Sequence, residues 1–469
     1  MAESPQARGQ SGFCVPCVPF VGRRGASEDA AAAPPVPSLW EREGFFTEVE
    51  PLLELESTAT LALLEGITTV TFFKGVSAAE AAGAMRARLR LVLAANPWIA
   101  GRVVRVKGEP RLQVRFPKGE AAASDDQLMD ELLRVDPPGL SAHPRMSYEE
   151  MSSAILGFSA VVERLGARFL KELPDILFGS QVAKPALQTR VTILSDPSDP
   201  KAFALIFSMG HTTVDGSAYY HVLNMLSEDA EVKPLSAARK HEAPPKMVDA
   251  QGKGDYDFIR STLTTKVVAS RARGQRARTV CLYVDEARMT EAKAAAVAEA
   301  VDGVSFVSVN DVLVSALARM AKARVMLMFI NFRGRVEGLE ADEVGNYESA
   351  LLLDEGVYGS PAKLRKALAA GAPFQTHEKP LPTTWEALNS QFASASNWTA
   401  FKGELAIAGA EQLLHLPLVS LSALAFESHT IFQPVKGRVA VLALTKRFAK
   451  EDFLRDAPLS GDVSEAVFG

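Results

Sequence analysis

Phe203-Ala-Leu-Ile-Phe-Ser208, His211-Thr-Thr-Val-Asp-Gly216 and Ala218-Tyr-Tyr-His-Val-Leu-Asn-Met-Leu226 follow one another along the chain. The first run is apolar up to Ser208, with two phenylalanines and an isoleucine, which predicts a strand. The third places its apolar residues at helical spacing. Between them stands a histidine at a strand end, with an aspartate four residues on and a glycine after it. Imidazole there can take up and release a proton near neutral pH. The carboxylate can brace the turn, and glycine permits close backbone approach.

The same alternation extends in both directions. Gly66-Ile-Thr-Thr-Val-Thr-Phe-Phe73 reads as a strand, and Ala79 to Ala95 as a helix stopping before Asn96-Pro97. Arg102-Val-Val-Arg-Val and Arg111-Leu-Gln-Val-Arg-Phe116 read as a hairpin around Gly108-Glu-Pro, and 146–180 as mainly helical. Gln188–Ser195 and Ala202–Met209 form a second strand pair across Asp196-Pro-Ser-Asp-Pro200. Downstream, Thr279–Val284 is strand-like, Glu286–Val301 helical, and Ser308-Val-Asn-Asp311 caps a helix over Val312–Ala323. Val325–Ile330 and Val439–Thr445 are further strands. The two halves therefore share one element order, an α/β pattern of mixed sheets with flanking helices.

At 469 residues, the chain exceeds the usual size of a single core. We divide it into a disordered tail over 1–40, an N-terminal domain over 41–226, a crossover over 227–265 and a C-terminal domain over 266–469. A net charge of −5 gives no general attraction to nucleic acid. No uninterrupted apolar run of membrane-spanning length occurs; Glu427 and His429 break Leu416–Phe432. Three cysteines cannot build a disulfide framework, so we expect a cytoplasmic monomer. Cys14-Val-Pro-Cys17 has metal-ligand spacing but no second pair, and no metal site is expected. The absence of acids between Glu3 and Glu28 leaves an organelle-targeting role open for the tail.

Leu91-Val-Leu-Ala-Ala-Asn-Pro-Trp-Ile-Ala-Gly-Arg102, the His211–Gly216 motif, Ser308-Val-Asn-Asp-Val-Leu, Asn331-Phe-Arg-Gly-Arg335 and Gly345-Asn346 stand in a telling order. They resemble the motifs of BAHD-type acyltransferases over roughly residues 45–450. That group lies in the chloramphenicol-acetyltransferase-like superfamily, whose motif is His-x-x-x-Asp-Gly. The superfamily also holds peptide-synthetase condensation domains and wax-ester synthases. The resemblance implies two chloramphenicol-acetyltransferase-like domains with the site in a tunnel between them. Two departures mark a divergent member. The Asp-Phe-Gly-Trp-Gly signature is missing, and Gly210 stands where condensation domains and wax-ester synthases carry a second histidine.

The resemblance also implies chemistry: acyl transfer from acyl-CoA, a co-substrate rather than a tightly bound cofactor, to the hydroxyl or amine of a small molecule. His211 would be the general base. Asp215 would pair with Arg333, or with Arg335 as fallback, and Gly216 and Asn346 would support the same loop. Ser396 and Trp398 match the place of the oxyanion donors. Arg271, Arg273, Arg276 and Arg278 are candidates for the coenzyme A phosphates, since guanidinium suits phosphate. Two other readings stand beside this one: a non-catalytic member of the fold that binds a metabolite or protein, and a condensation- or wax-ester-synthase-like acyltransferase, the former using a carrier-protein thioester.

Overall fold

The computed structural model describes residues 39–58, 61, 66–106, 108–156, 186–272, 277–421 and 425–463. The expectations for the tail over 1–40, for Cys14-Val-Pro-Cys17 and for most of 146–180 fall outside these residues, as do Arg273 and Arg276. Arg271 lies in a helix, but its side chain is not among those described.

Three sheets organise the chain. A small one takes β1 (Glu48–Pro51), β3 (Arg102–Val104), β4 (Gln113–Phe116) and β6 (Ala186–Leu187) in the order β1-β4-β3-β6. The first large sheet runs β13-β2-β8-β7-β5, from β2 (Ile67–Lys74), β5 (Leu133–Val135), β7 (Thr189–Asp196), β8 (Asp199–Met209) and β13 (Glu411–Leu418). The second runs β11-β10-β12-β14-β15-β9-β16. Its strands are β9 (Arg278–Val284), β10 (Val325–Asn331), β11 (Glu348–Leu353), β12 (Phe392–Asn397), β14 (Glu427–Val435), β15 (Arg438–Thr445) and β16 (Leu459–Asp462). Both large sheets mix parallel and antiparallel pairs.

Local chemistry sets the element ends. Ser77 and Glu80 close a capping box before helix Ala78–Ala95: Glu80 N–H donates to the hydroxyl at 3.3 Å, and Ser77 N–H to the carboxylate at 2.8 Å. Ser308 and Asp311 do the same for helix Val309–Ala321, so that helix begins three residues before the apolar periodicity does. Asp215 caps helix Gly216–Met225, its Oδ1 accepting from Ala218 N–H at 3.0 Å.

One strand departs from the sequential division into halves. β13, from the C-terminal half, pairs antiparallel with β2 from Glu411 opposite Lys74 to Leu418 opposite Thr68. His415 of β13 anchors the visit: Nδ1 meets Thr71 Oγ1 at 2.8 Å and Nε2 meets the Tyr220 hydroxyl at 3.0 Å. Burial pushes its pKa down to about 4, so it stays neutral with one nitrogen for each partner. The segment expected as a crossover is not merely a linker either; it includes helices Ala243–Gln251 and Lys253–Phe258. Among the described residues, no helix is long and apolar enough to cross a membrane.

Candidate active site

β8 ends at Met209 and delivers His211 into the space beside the ends of β10 and β11. His211 Nδ1 lies 3.1 Å from Asn346 Oδ1. Which atom donates follows from the other end of the amide. Asn346 Nδ2 donates to the His211 carbonyl at 2.9 Å and to Glu56 Oε1 at 3.2 Å, so its Oδ1 is the acceptor facing the ring. In the neutral imidazole Nδ1 therefore carries the hydrogen, and Nε2 keeps the lone pair. The His211 side chain is 21% exposed.

Asp215 is fully buried. Its Oδ2 accepts from Arg333 Nη1 at 2.6 Å and from Tyr347 N–H at 2.9 Å. The same guanidinium donates to the Glu343 carbonyl at 2.9 Å and the Gly345 carbonyl at 3.0 Å, and lies over the Tyr347 ring at 5.0 Å. Arg335, in contrast, is exposed and among the described residues bonds only locally, Nε to the Asn331 carbonyl at 3.1 Å. Arg333 is thus the partner of Asp215. Gly345 is tied into the clasp by its own φ of +145°; an added Cβ there would lie 2.9 Å from the Tyr347 ring. Gly216 meets the Phe401 ring, which an added Cβ would touch at 3.4 Å.

Behind Asn346 stands a pair that sequence reasoning missed. Glu56 accepts from Asn346 N–H at 2.9 Å, Leu53 N–H at 2.8 Å and Arg239 Nε at 2.9 Å, with both side chains buried. Arg239 returns to the motif through Nη2, which donates to the Thr213 carbonyl at 2.8 Å. His211, Asn346, Glu56, Arg239 and Thr213 so close a ring of contacts around the turn. Glu348 was missed as well. Its carboxylate faces His211 Nε2 at 3.7 Å, and its pKa is pushed up to about 7, by burial first and then by Asp215, against His211 and Arg333.

Gly210 has a packing reason for being glycine: an added Cβ would lie 2.0 Å from Gln188 Oε1. Gly210→Ala is expected to lose about 1–3 kcal/mol of stability through this overpacking. A urea midpoint equal to that of the wild type would show instead that Gln188 yields without loss.

The oxyanion candidates touch each other. Trp398 Nε1 donates to Ser396 Oγ at 2.8 Å, so the indole N–H is engaged and the Ser396 hydroxyl hydrogen is the one left to donate outward. Trp398 also packs against Tyr220 of the helix after the motif, ring centroids 5.7 Å apart. The arginine run is different. Arg278 opens β9 opposite Thr445, and β9 lies four strands from β10 in the sheet. Strand register puts it at the end of the sheet away from Asn331 and Asn397. The structure therefore does not bring Arg278 to the site. Two other arginines, Arg335 and Arg365, line a cavity of 270 Å³ with Ser308, Asp311, Met328 and Phe374. It opens where helix Val309–Ala321 starts and β10 ends. Among the described residues, no three histidine, cysteine or carboxylate side chains gather as a metal site.

No protein-family model and no curated protein matches this chain. Solved structures do. TRI101 of F. graminearum, complexed with coenzyme A and deoxynivalenol, aligns over 87% of this chain and 96% of its own, at 12% identity and TM-score 0.54. The chain has the chloramphenicol-acetyltransferase-like fold. The first condensation domain of the CDA synthetase aligns over 87% and 93%, at 13% identity and TM-score 0.53. Polyketide synthase associated protein 5 from Mycobacterium tuberculosis aligns over 86% and 95%, at 12% identity and TM-score 0.51.

Proposed function

We propose that this protein transfers an acyl group from a thioester, most simply acyl-CoA, to a hydroxyl or amine of a small molecule, with His211 as general base. The observation that carries the reading is the placement of the imidazole: Asn346 Oδ1 lies 3.1 Å from Nδ1, and Nε2 is left without a hydrogen-bond partner among the described residues, on a side chain 21% exposed. In this reaction Nε2 takes the acceptor's proton while the acceptor attacks the thioester carbon, a contribution of about 10²–10⁴ in rate. The oxyanion that forms is met by the Ser396 hydroxyl, polarised by the Trp398 N–H. Loss of such a donor lowers the rate by about 10²–10³.

One further feature supports acyl-CoA as donor: TRI101, which shares the fold, has been solved with coenzyme A. Acetyl-, hexanoyl- and benzoyl-CoA, incubated with a mixed pool of alcohols and amines, are expected to yield esters or amides detectable by mass spectrometry. Coenzyme A binding without any product would favour a non-catalytic role; neither binding nor product would remove acyl-CoA from the reading.

A further inference from the structure

Asn346, Tyr347 and Glu348 each make a separate contact with the His211–Gly216 turn. The Tyr347 N–H holds Asp215, while the side chains of Asn346 and Glu348 engage opposite edges of the imidazole, Nδ1 at 3.1 Å and Nε2 at 3.7 Å. Extended backbone sends residues i and i+2 to the same side, which is how one strand start grips both edges. Glu348 opens β11 opposite Asn331, so its backbone position is set by the sheet. Among the described residues its carboxylate accepts no hydrogen bond. The charged groups around it are His211, Asp215 and Arg333, and Arg333 is already committed to Asp215. A partly buried carboxylate without a donor destabilises a fold unless something else fills the gap.

What fills it must offer two hydrogens. His211 Nε2 presents a lone pair, and the Glu348 carboxylate presents others across 3.7 Å. A lone hydroxyl has one hydrogen and satisfies one of the two. A primary ammonium has three, and its charge matches the Glu348 carboxylate, which accepts no hydrogen bond among the described residues and whose neighbouring guanidinium, Arg333, is committed to Asp215. We propose that the acceptor is a primary amine, bound as its ammonium between His211 and Glu348, and that Glu348 is the second proton acceptor of the reaction. The inference rests on the acyl-transfer reading above.

The protons balance. The ammonium loses one proton to the Glu348 carboxylate, which frees the nitrogen lone pair. Nitrogen then bonds to the thioester carbon, and the carbonyl π electrons move onto oxygen. His211 Nε2 takes the second N–H proton. The oxyanion re-forms the carbonyl, the C–S bond breaks, and the leaving thiolate takes one of the two protons held by Glu348 and His211. The other passes to water, so amine and thioester become amide and thiol with one proton released. The carboxyl's raised affinity for a proton, near neutrality, suits it to this exchange.

The test compares hexylamine with hexanol, and phenethylamine with phenethyl alcohol, each with the acyl-CoA panel, in wild type, Glu348→Gln and Glu348→Asp. The wild type is expected to prefer the amine of each pair. Glu348→Gln is expected to lose about 10²-fold more in kcat/KM for amines than for alcohols, because free amine is only about one part in 10³ at pH 7. The loss for amines is expected to shrink about tenfold per pH unit between pH 7 and 9, as the free base becomes available without Glu348. Glu348→Asp, which retains the carboxylate, recovers part of the amine activity. Thermal unfolding at pH 8 serves as control. Because burial disfavours the ionised carboxylate, the glutamine variant is expected to be no less stable there. Equal losses on amines and alcohols, or a pH-independent loss, overturn the proposal. Transfer to alcohols alone overturns it while leaving acyl transfer standing, and transfer to neither from any donor overturns both.

Discussion

His211→Ala is expected to lower kcat/KM for acyl transfer by about 10²–10⁴-fold, the usual contribution of a positioned general base. The fall should appear in kcat, with the donor's KM little changed, because the imidazole is proposed to act on the acceptor's proton rather than to hold coenzyme A. Stability should change by no more than about 0.5–1.5 kcal/mol, the net worth of one hydrogen bond. The ring is partly exposed, and among the described residues its side chain hydrogen-bonds only to Asn346 Oδ1. Asn346 keeps its other contacts, to the backbone carbonyl of residue 211 and to Glu56, so the turn persists without the ring. This separation of activity from stability makes the substitution informative. Product formation by the alanine variant at the wild-type rate would remove His211 from the chemistry, whatever the fold.

How much of this site is legible in the chain depends on whether its parts are contiguous. His211, Asp215 and Gly216 are visible because one strand-to-helix turn places them in a single hexapeptide, and a turn's chemistry is local. Arg333 is visible only through its neighbours, Asn331-Phe-Arg, at the end of an apolar run. Glu56 and Arg239 were not visible at all. They lie 183 residues apart, each in a charged stretch, and nothing in either stretch says that its charge is buried. The faint clue was that Glu56 follows Leu52, Leu53 and Leu55, where a surface carboxylate is less expected. Glu348 resembled any charge at a strand start. β13 shows the same limit at the level of fold: Glu411–Leu418 has a readable apolar character, but pairing with β2, more than 300 positions earlier, is a decision of the assembled sheet. Arg278 stands away from the site for the related reason that a place in a sequence cluster says nothing of which end of a strand a residue occupies.

Arg333→Met is expected to destabilise the protein by about 3–5 kcal/mol, the effect of leaving one charge of a buried ion pair without its partner. Asp215 and Arg333 have side chains only 1% and 2% exposed, so water cannot replace what is lost. The remaining donors to Asp215, Tyr347 N–H and Ala218 N–H, are dipoles that cannot neutralise it. Arg333 also ties the Glu343 and Gly345 carbonyls together, so its removal frees the backbone that aims Asn346 at the imidazole. A second substitution separates charge from shape. Asp215→Asn keeps an effective helix cap and its bond to Ala218 while removing the charge, so the double variant Asp215→Asn, Arg333→Met should regain most of the lost stability. The coupling between the two sites, read from urea midpoints of the four proteins, is expected at about 0.5–3 kcal/mol. Additive losses would mean that each residue stabilises the fold separately and that the clasp between the halves is not electrostatic. Activity should fall further in the double variant than stability does. The neutral pair fills the space but no longer draws residues 343–345 into register, and His211 depends on that register for the tautomer that leaves Nε2 free.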